Sequence, residues 1–238
     1  MLLYTPERKE KFEASSDSIL NDFGIKLQVG RDFDEFKEAS KQARPHHSVQ
    51  SHFNTADMPL SHHDALWLIG RDHEDRVIYL EAMKVLKTRE RSLAEYLTSH
   101  FAEFLPEPQT VDFSRTRYRP GPSASRMSGR IVYAGEFWID DRGSLRGSGL
   151  ANVLCRYGYL LALRELDPDY FIAFMLRGLC DKGVFFRTGF YHAEPHALRW
   201  CMKGSDDVMD GAMIHMSAED MLFSLETSVA ADPGLRAA

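Results

Sequence analysis

The stretch from Ile131 to Leu176 constrains this chain more than any other. Ile131–Ile139 is rich in β-branched and aromatic residues, and the polar run Asp140-Asp141-Arg142-Gly143-Ser144 stops it. After Arg146-Gly147-Ser148-Gly149, the residues Leu150, Val153, Leu154, Tyr157, Leu160 and Leu161 fall on one helical face. Asp167-Pro168 closes that helix, because the residue before a proline is pushed out of the helical region. Tyr170–Leu176 is an unbroken apolar run, the pattern of a strand buried on both faces. Strand, glycine turn, helix and buried strand make a β–α–β unit, which joins parallel strands through a right-handed crossover.

The glycine turn opens the helix. There the first backbone N–H groups lack partners, the helix dipole is positive, and glycine lets a ligand come close to the main chain. A phosphate or pyrophosphate is the expected guest. A P-loop is excluded because no G-x-x-x-x-G-K-[ST] run exists. A dinucleotide fingerprint fits Gly147 and Gly149 but meets Asn152 at its third position, and Asp167 and Asp169 precede the next strand instead of ending it.

Arg146-Gly147-Ser148-Gly149-Leu150-Ala151 resembles the R/Q-x-x-G-x-G/A motif of the GCN5-related N-acetyltransferase (GNAT) family. Downstream, Phe185-Phe186-Arg187-Thr188-Gly189-Phe190 is similar to that family's aromatic-x-basic-x-Gly-Phe segment. The two matches, in order, cover about residues 130–216. The resemblance implies one α/β domain over residues 1–238, a mixed twisted sheet flanked by helices on both faces. Residues 1–85 would form the acceptor side, 86–130 a helix and Arg-rich insertion, 131–216 the acyl-CoA-binding core, and 217–238 a C-terminal helix and tail. It also implies acyl-CoA, acetyl-CoA in the simplest case, as co-substrate and an amine as acceptor. Carried over by position, Arg146, Gly147, Ser148, Gly149, Leu150 and Ala151 would hold the pyrophosphate. The pantetheine would run beside Trp138 and Ile139.

An amine acceptor arrives protonated at neutral pH, so a base must take its proton. Glu136, on the strand before the glycine turn, is the expected base, with Tyr191 and His192 as further catalytic candidates and Glu194 behind them. Many family members use a tyrosine as the acid for the leaving thiolate. Here that position is Phe185, which carries no proton to give, and Tyr191 or Tyr157 would have to substitute. The competing expectation is therefore a GNAT-like binding module without turnover.

The rest of the chain is less legible. Pro6–Phe23 reads as a surface helix, Ile25–Val29 as a short strand, Asp34–Arg44 as a helix, and Leu66–Ile69 with Val77–Val85 as a hairpin. Ser92–Leu105 reads as a helix, and Ser217 followed by acids as a helix start. Six of the ten histidines lie between His46 and His73, but no H-x-x-x-H sits on a clear helix and the cysteines are distant, so no metal is expected. Residues 113–135 hold five arginines and no acid. The net charge of −6 argues against nucleic acid as the general partner. Three cysteines without a C-x-x-C pair, no apolar leader region and no spanning run point to a cytoplasmic protein away from membranes. A homodimer is left open.

Overall fold

In the computed structural model, residues 6–56, 60–88, 90–104, 110–141, 148–206 and 208–227 are described. The elements run α1 (Pro6–Asp22), β1 (Lys26–Gly30), α2 (Phe33–Ala43), β2 (Ala65–Arg71), β3 (Val77–Leu86), α3 (Leu93–His100), β4 (Arg117–Tyr118), α4 (Pro122–Arg126) and β5 (Ile131–Ile139). They continue α5 (Leu150–Glu165), β6 (Tyr170–Leu176), α6 (Arg177–Asp181), α7 (Val184–Arg187), β7 (His192–Cys201), β8 (Val208–Ser217) and α8 (Ala218–Glu226). Eight strands form one sheet in the order β1-β2-β3-β5-β6-β8-β7-β4. Only the central pair, β5 with β6, is parallel.

Strand alternation sorts the apolar side chains onto two faces. Leu66, Leu68, Val132, Ala134, Phe171 and Ile214 pack with α5, α1 and α8. Ala65, Trp67, Ile69, Ile131, Tyr133, Ile172 and Met213 pack with α2, α3 and α4. The chain is thus a mixed α/β sheet with helices on both faces, as the sequence predicts.

Two departures from the expected pattern matter. Tyr170–Leu176 is not buried along its length: Phe171 and Ile172 are buried, but Ala173–Met175 are half-buried and Leu176 is exposed. The reason is the pairing. β6 meets β5 only over Tyr170–Ile172 against Ile131–Tyr133, after which the two strands part. Second, the polar stretch after Phe190 is the strand β7, whose ladder with β8 is irregular between Glu194 and Leu198. Pro195 has no N–H to give that ladder, and His196 sits at φ 58, so the alternation that marks a strand is broken.

Candidate active site

The parting of β5 and β6 opens a cleft through the sheet. Ala134, Cys155, Tyr159, Phe190 and Ile214 line it on the α5 side; Arg44, His47, Gln50, Tyr133 and Phe174 line it on the α2 side. Its volume is about 400 Å³. A second groove of about 790 Å³ lies at the start of α5, between Ile139, Gly149, Leu150, Ala151, Asn152 and Arg187. Val184 and Thr188 border both, so the two spaces adjoin.

Glu136 stands where strand alternation alone would turn it toward α5. A bulge sends it the other way. Leu80 pairs with Trp138 and Ala82 with Gly135, so Glu136 and Phe137 together oppose Glu81. Glu136 has φ 57, in the left-handed region that non-glycine residues rarely occupy. The extra residue shifts the facing of everything after it. Phe137 stacks edge-on against Tyr79 on the α5 side, and Ile139 lines the α5 groove. Trp138 packs instead with the α2-side cluster and borders neither space.

The Glu136 side chain is 1% exposed. Its Oε2 accepts from Arg44 Nη2 at 2.6 Å and meets His47 Nε2 at 2.9 Å, and its Oε1 accepts from the Gln50 N–H at 2.8 Å. Burial works to raise its pKa, but the His47 hydrogen bond, the Arg44 charge and the Gln50 N–H outweigh it and hold the carboxyl below its ordinary value. Gly135 makes room for this docking: a Cβ there would lie 2.8 Å from Phe53 and 2.9 Å from both Gln50 Oε1 and Tyr133 Oη. Tyr133 Oη donates to Gln50 Oε1 at 2.8 Å and fixes the segment from below.

At the other end, Gly149 caps α5 at φ 79 with open space around its would-be side chain. Ser148 Oγ accepts from the Leu150 N–H at 3.2 Å. Arg187 presents an exposed guanidinium to the same groove and makes no ion pair among the described residues. Asp140 and Asp141 also line it, so the cationic character comes from the helix terminus and Arg187. Arg146 and Gly147 lie outside the described residues. Tyr159 Oη donates to the Thr188 carbonyl at 2.7 Å and anchors the turn that leads to Gly189 and Phe190. Cys155, fully buried on the cleft wall, has its thiol pushed well above the ordinary range by that burial, which makes it a poor nucleophile.

The remaining candidates sit elsewhere. Tyr191 packs edge-on against Phe223, and His192 lies 3.3 Å from Asp220 and stacks on His215; neither lines the cleft. Tyr157 faces Glu13 and Asp17 of α1. The Glu194 carboxylate accepts from the Ser123 N–H and ties α4 to β7. The sequence reading missed Arg44, His47 and Gln50, which come from 86 to 92 residues away from Glu136. Nothing in the spacing of the histidines sets His47 apart. Among the described residues no group of three His, Cys, Asp or Glu side chains could hold a metal ion, and no helix is long and apolar enough to cross a membrane.

No protein-family model matches the chain, and no curated protein matches it. Solved structures similar to it include NAA60 of Arabidopsis thaliana in complex with acetyl-CoA, at 13% identity and a TM-score of 0.47 over 82% of this chain and 99% of that one. Another is FeeM, an N-acyl amino acid synthase from uncultured soil microbes, at 10% identity and a TM-score of 0.49 over 83% and 92%. A third is a mutant form of the spermidine/spermine N-acetyltransferase SpeG from Vibrio cholerae, at 10% identity and a TM-score of 0.46 over 84% and 97%. At such scores the likenesses carry no functional weight, which falls on the cleft itself.

Proposed function

We propose that this chain is an acyl-CoA-dependent N-acyltransferase of the GNAT type, moving an acyl group, acetyl in the simplest case, onto an amine. The observation that carries the reading is the cleft between the parted strands, which adjoins a groove at the start of α5. A CoA thioester is a long molecule with a pyrophosphate at one end and a reactive carbonyl at the other. The α5 start offers Ser148, Gly149, Leu150 and Ala151, with Arg187, to the pyrophosphate; Arg146 and Gly147 of the motif complete that proposal. Beyond Tyr133 no β6 residue pairs with the β5 edge among the described residues, so that edge is placed to hydrogen-bond the pantetheine amides as an added strand would. The same N–H groups can stabilise the oxyanion that forms on the thioester carbonyl. Glu136 marks the acceptor side, where the amine must lose its proton.

Titration calorimetry with acetyl-CoA and longer acyl-CoAs tests the reading, and binding weaker than millimolar for all of them would sink it. Gly149→Trp fills the α5 groove from a position with open space around it. It should abolish binding while circular dichroism stays native, apart from the 1–2 kcal/mol or so that a side chain costs in the left-handed region. Retained affinity would move the site elsewhere.

One observation favours a second reading, a module that holds acyl-CoA without turning it over. Phe185, packed against the α5-side core at the position many GNAT enzymes give to tyrosine, has no proton for the leaving thiolate. Thiol release with any amine excludes that reading.

A further inference from the structure

The geometry points to His47 as the group that takes the acceptor's proton, with Glu136 as its positioning residue. This inference rests on the transferase reading above. Glu136 is the residue a sequence would choose as base, yet its carboxylate is spent. Arg44, His47 and the Gln50 N–H already occupy both of its oxygens, and the side chain is sealed from solvent. His47 is different. It lines the cleft, its side chain is 32% exposed, and only Nε2 is engaged, at 2.9 Å from Glu136 Oε2.

That contact sets the tautomer. A carboxylate can only accept, so Nε2 must carry the proton that it donates, and the lone pair of neutral His47 is left on Nδ1. Among the described residues nothing bonds to Nδ1. An imidazole whose far nitrogen is oriented by a buried carboxylate presents its other nitrogen as a general base. Arg44, at the end of α2, opposes the protonated ring with a like charge while holding Glu136 ionised. The other titratable neighbours are His46, next in the chain, Tyr133 on β5 and, across the cleft on the α5 side, Glu81 on β3 with Cys155 and Tyr159 on α5. β6 offers the cleft only Ala173, Phe174, Met175 and Leu176.

The step balances with two protons. The ammonium acceptor gives one to Nδ1, and the neutral amine attacks the thioester carbonyl to form a C–N bond. The tetrahedral species collapses with cleavage of the C–S bond. The second nitrogen-bound proton passes to the departing thiolate, and His47 returns the first to solvent through its exposed edge. No dedicated acid is needed at Phe185.

The test uses the full chain, acetyl-CoA and a panel of primary amines, amino acids and hydroxylamine, with thiol release as readout. His47→Gln keeps an N–H that can reach Glu136 but has no basic atom. We expect acetyl-CoA affinity to stay within about twofold, while kcat/KM for ammonium-type acceptors at neutral pH falls a hundredfold or so and the enzyme's own acid limb disappears, leaving only the rise set by the acceptor's ionisation. Hydroxylamine, neutral at pH 7, should be much less affected. Glu136→Gln, which no longer only accepts and so no longer fixes the Nε2–H tautomer, should lower kcat/KM for ammonium-type acceptors while acetyl-CoA affinity holds. Histidine ring ¹⁵N NMR should find the Nε2–H tautomer in the unmodified protein. His47→Gln retaining both rate and acid limb, a proton on Nδ1, or bound acetyl-CoA with no amine turned over would each overturn the inference. Failure to bind any acyl-CoA would instead overturn the transferase reading on which it stands.

Discussion

Two buried carboxyls face the same cleft and are treated in opposite ways. Glu136 is surrounded by donors and stays charged. Glu81 on β3 is fully buried beside Cys155 and Tyr159, with Tyr79 Oη donating to it at 2.5 Å. Burial pushes Glu81 up to about 8, and the Tyr79 bond only partly offsets it. The folded state therefore holds a proton that the unfolded chain releases near its ordinary carboxyl value. The sign follows: this contribution is complete below that ordinary value and is lost as pH rises toward 8. At about 1.4 kcal/mol per pH unit, the loss between pH 5 and pH 8 is on the order of 3 kcal/mol. Glu81→Gln, neutral throughout, should flatten the decline, read as the change in urea-unfolding free energy between those two pH values. The buried His52, lowered by burial to about 3, acts in both proteins alike and drops out of the comparison. An equally steep decline in the variant would mean that Glu81 is already charged in the native state.

Elements with a strong period were legible; elements held by tertiary contacts were not. The β5–α5–β6 unit announced itself because two apolar runs flank a stretch whose apolar residues repeat at helical spacing. The hairpin of β2 and β3 did so too. β7 was hidden by Pro195 and by a left-handed His196, and the bulge at Glu136 was hidden because a one-residue slip leaves no mark in composition. α8 was legible through its cap. Ser217 Oγ accepts from the Asp220 N–H at 3.1 Å while Asp220 Oδ2 accepts from the Ser217 N–H at 2.9 Å, a reciprocal capping box. Met221 and Leu225 then bury against α5, and the Ser224 carbonyl accepts from Arg156 Nε at 3.3 Å. Ser217→Ala should cost about 1 kcal/mol and lower Tm by roughly 2–4 °C in calorimetry, with acyl-CoA affinity unchanged. A changed affinity at equal Tm would tie α8 to the ligand instead of to stability.

For the whole molecule, the N-terminal third matters more than its sequence suggests. α1 lays Phe12 and Leu20 onto the α5 face, and α2 with the segment after it closes the opposite face over Glu136. The resemblance implies an acceptor side in this region, but the residues that surround Glu136 could not be named, because each depends on a contact across the sheet with no local signature. The cleft itself runs through the sheet, with Ala134, Cys155 and Tyr159 lining it on one face and His47 on the other. On the proposed reading, the donor and the acceptor approach the cleft from opposite faces of the sheet, and neither displaces the other. Cys155, with its thiol held well above the ordinary range by burial, is a poor covalent carrier for the acyl group. Initial-rate plots should accordingly intersect, with a ternary complex that forms in either order. Free CoA should compete with acyl-CoA but act as a mixed inhibitor toward the amine, whereas parallel lines would mean that the acyl group is first moved onto the protein.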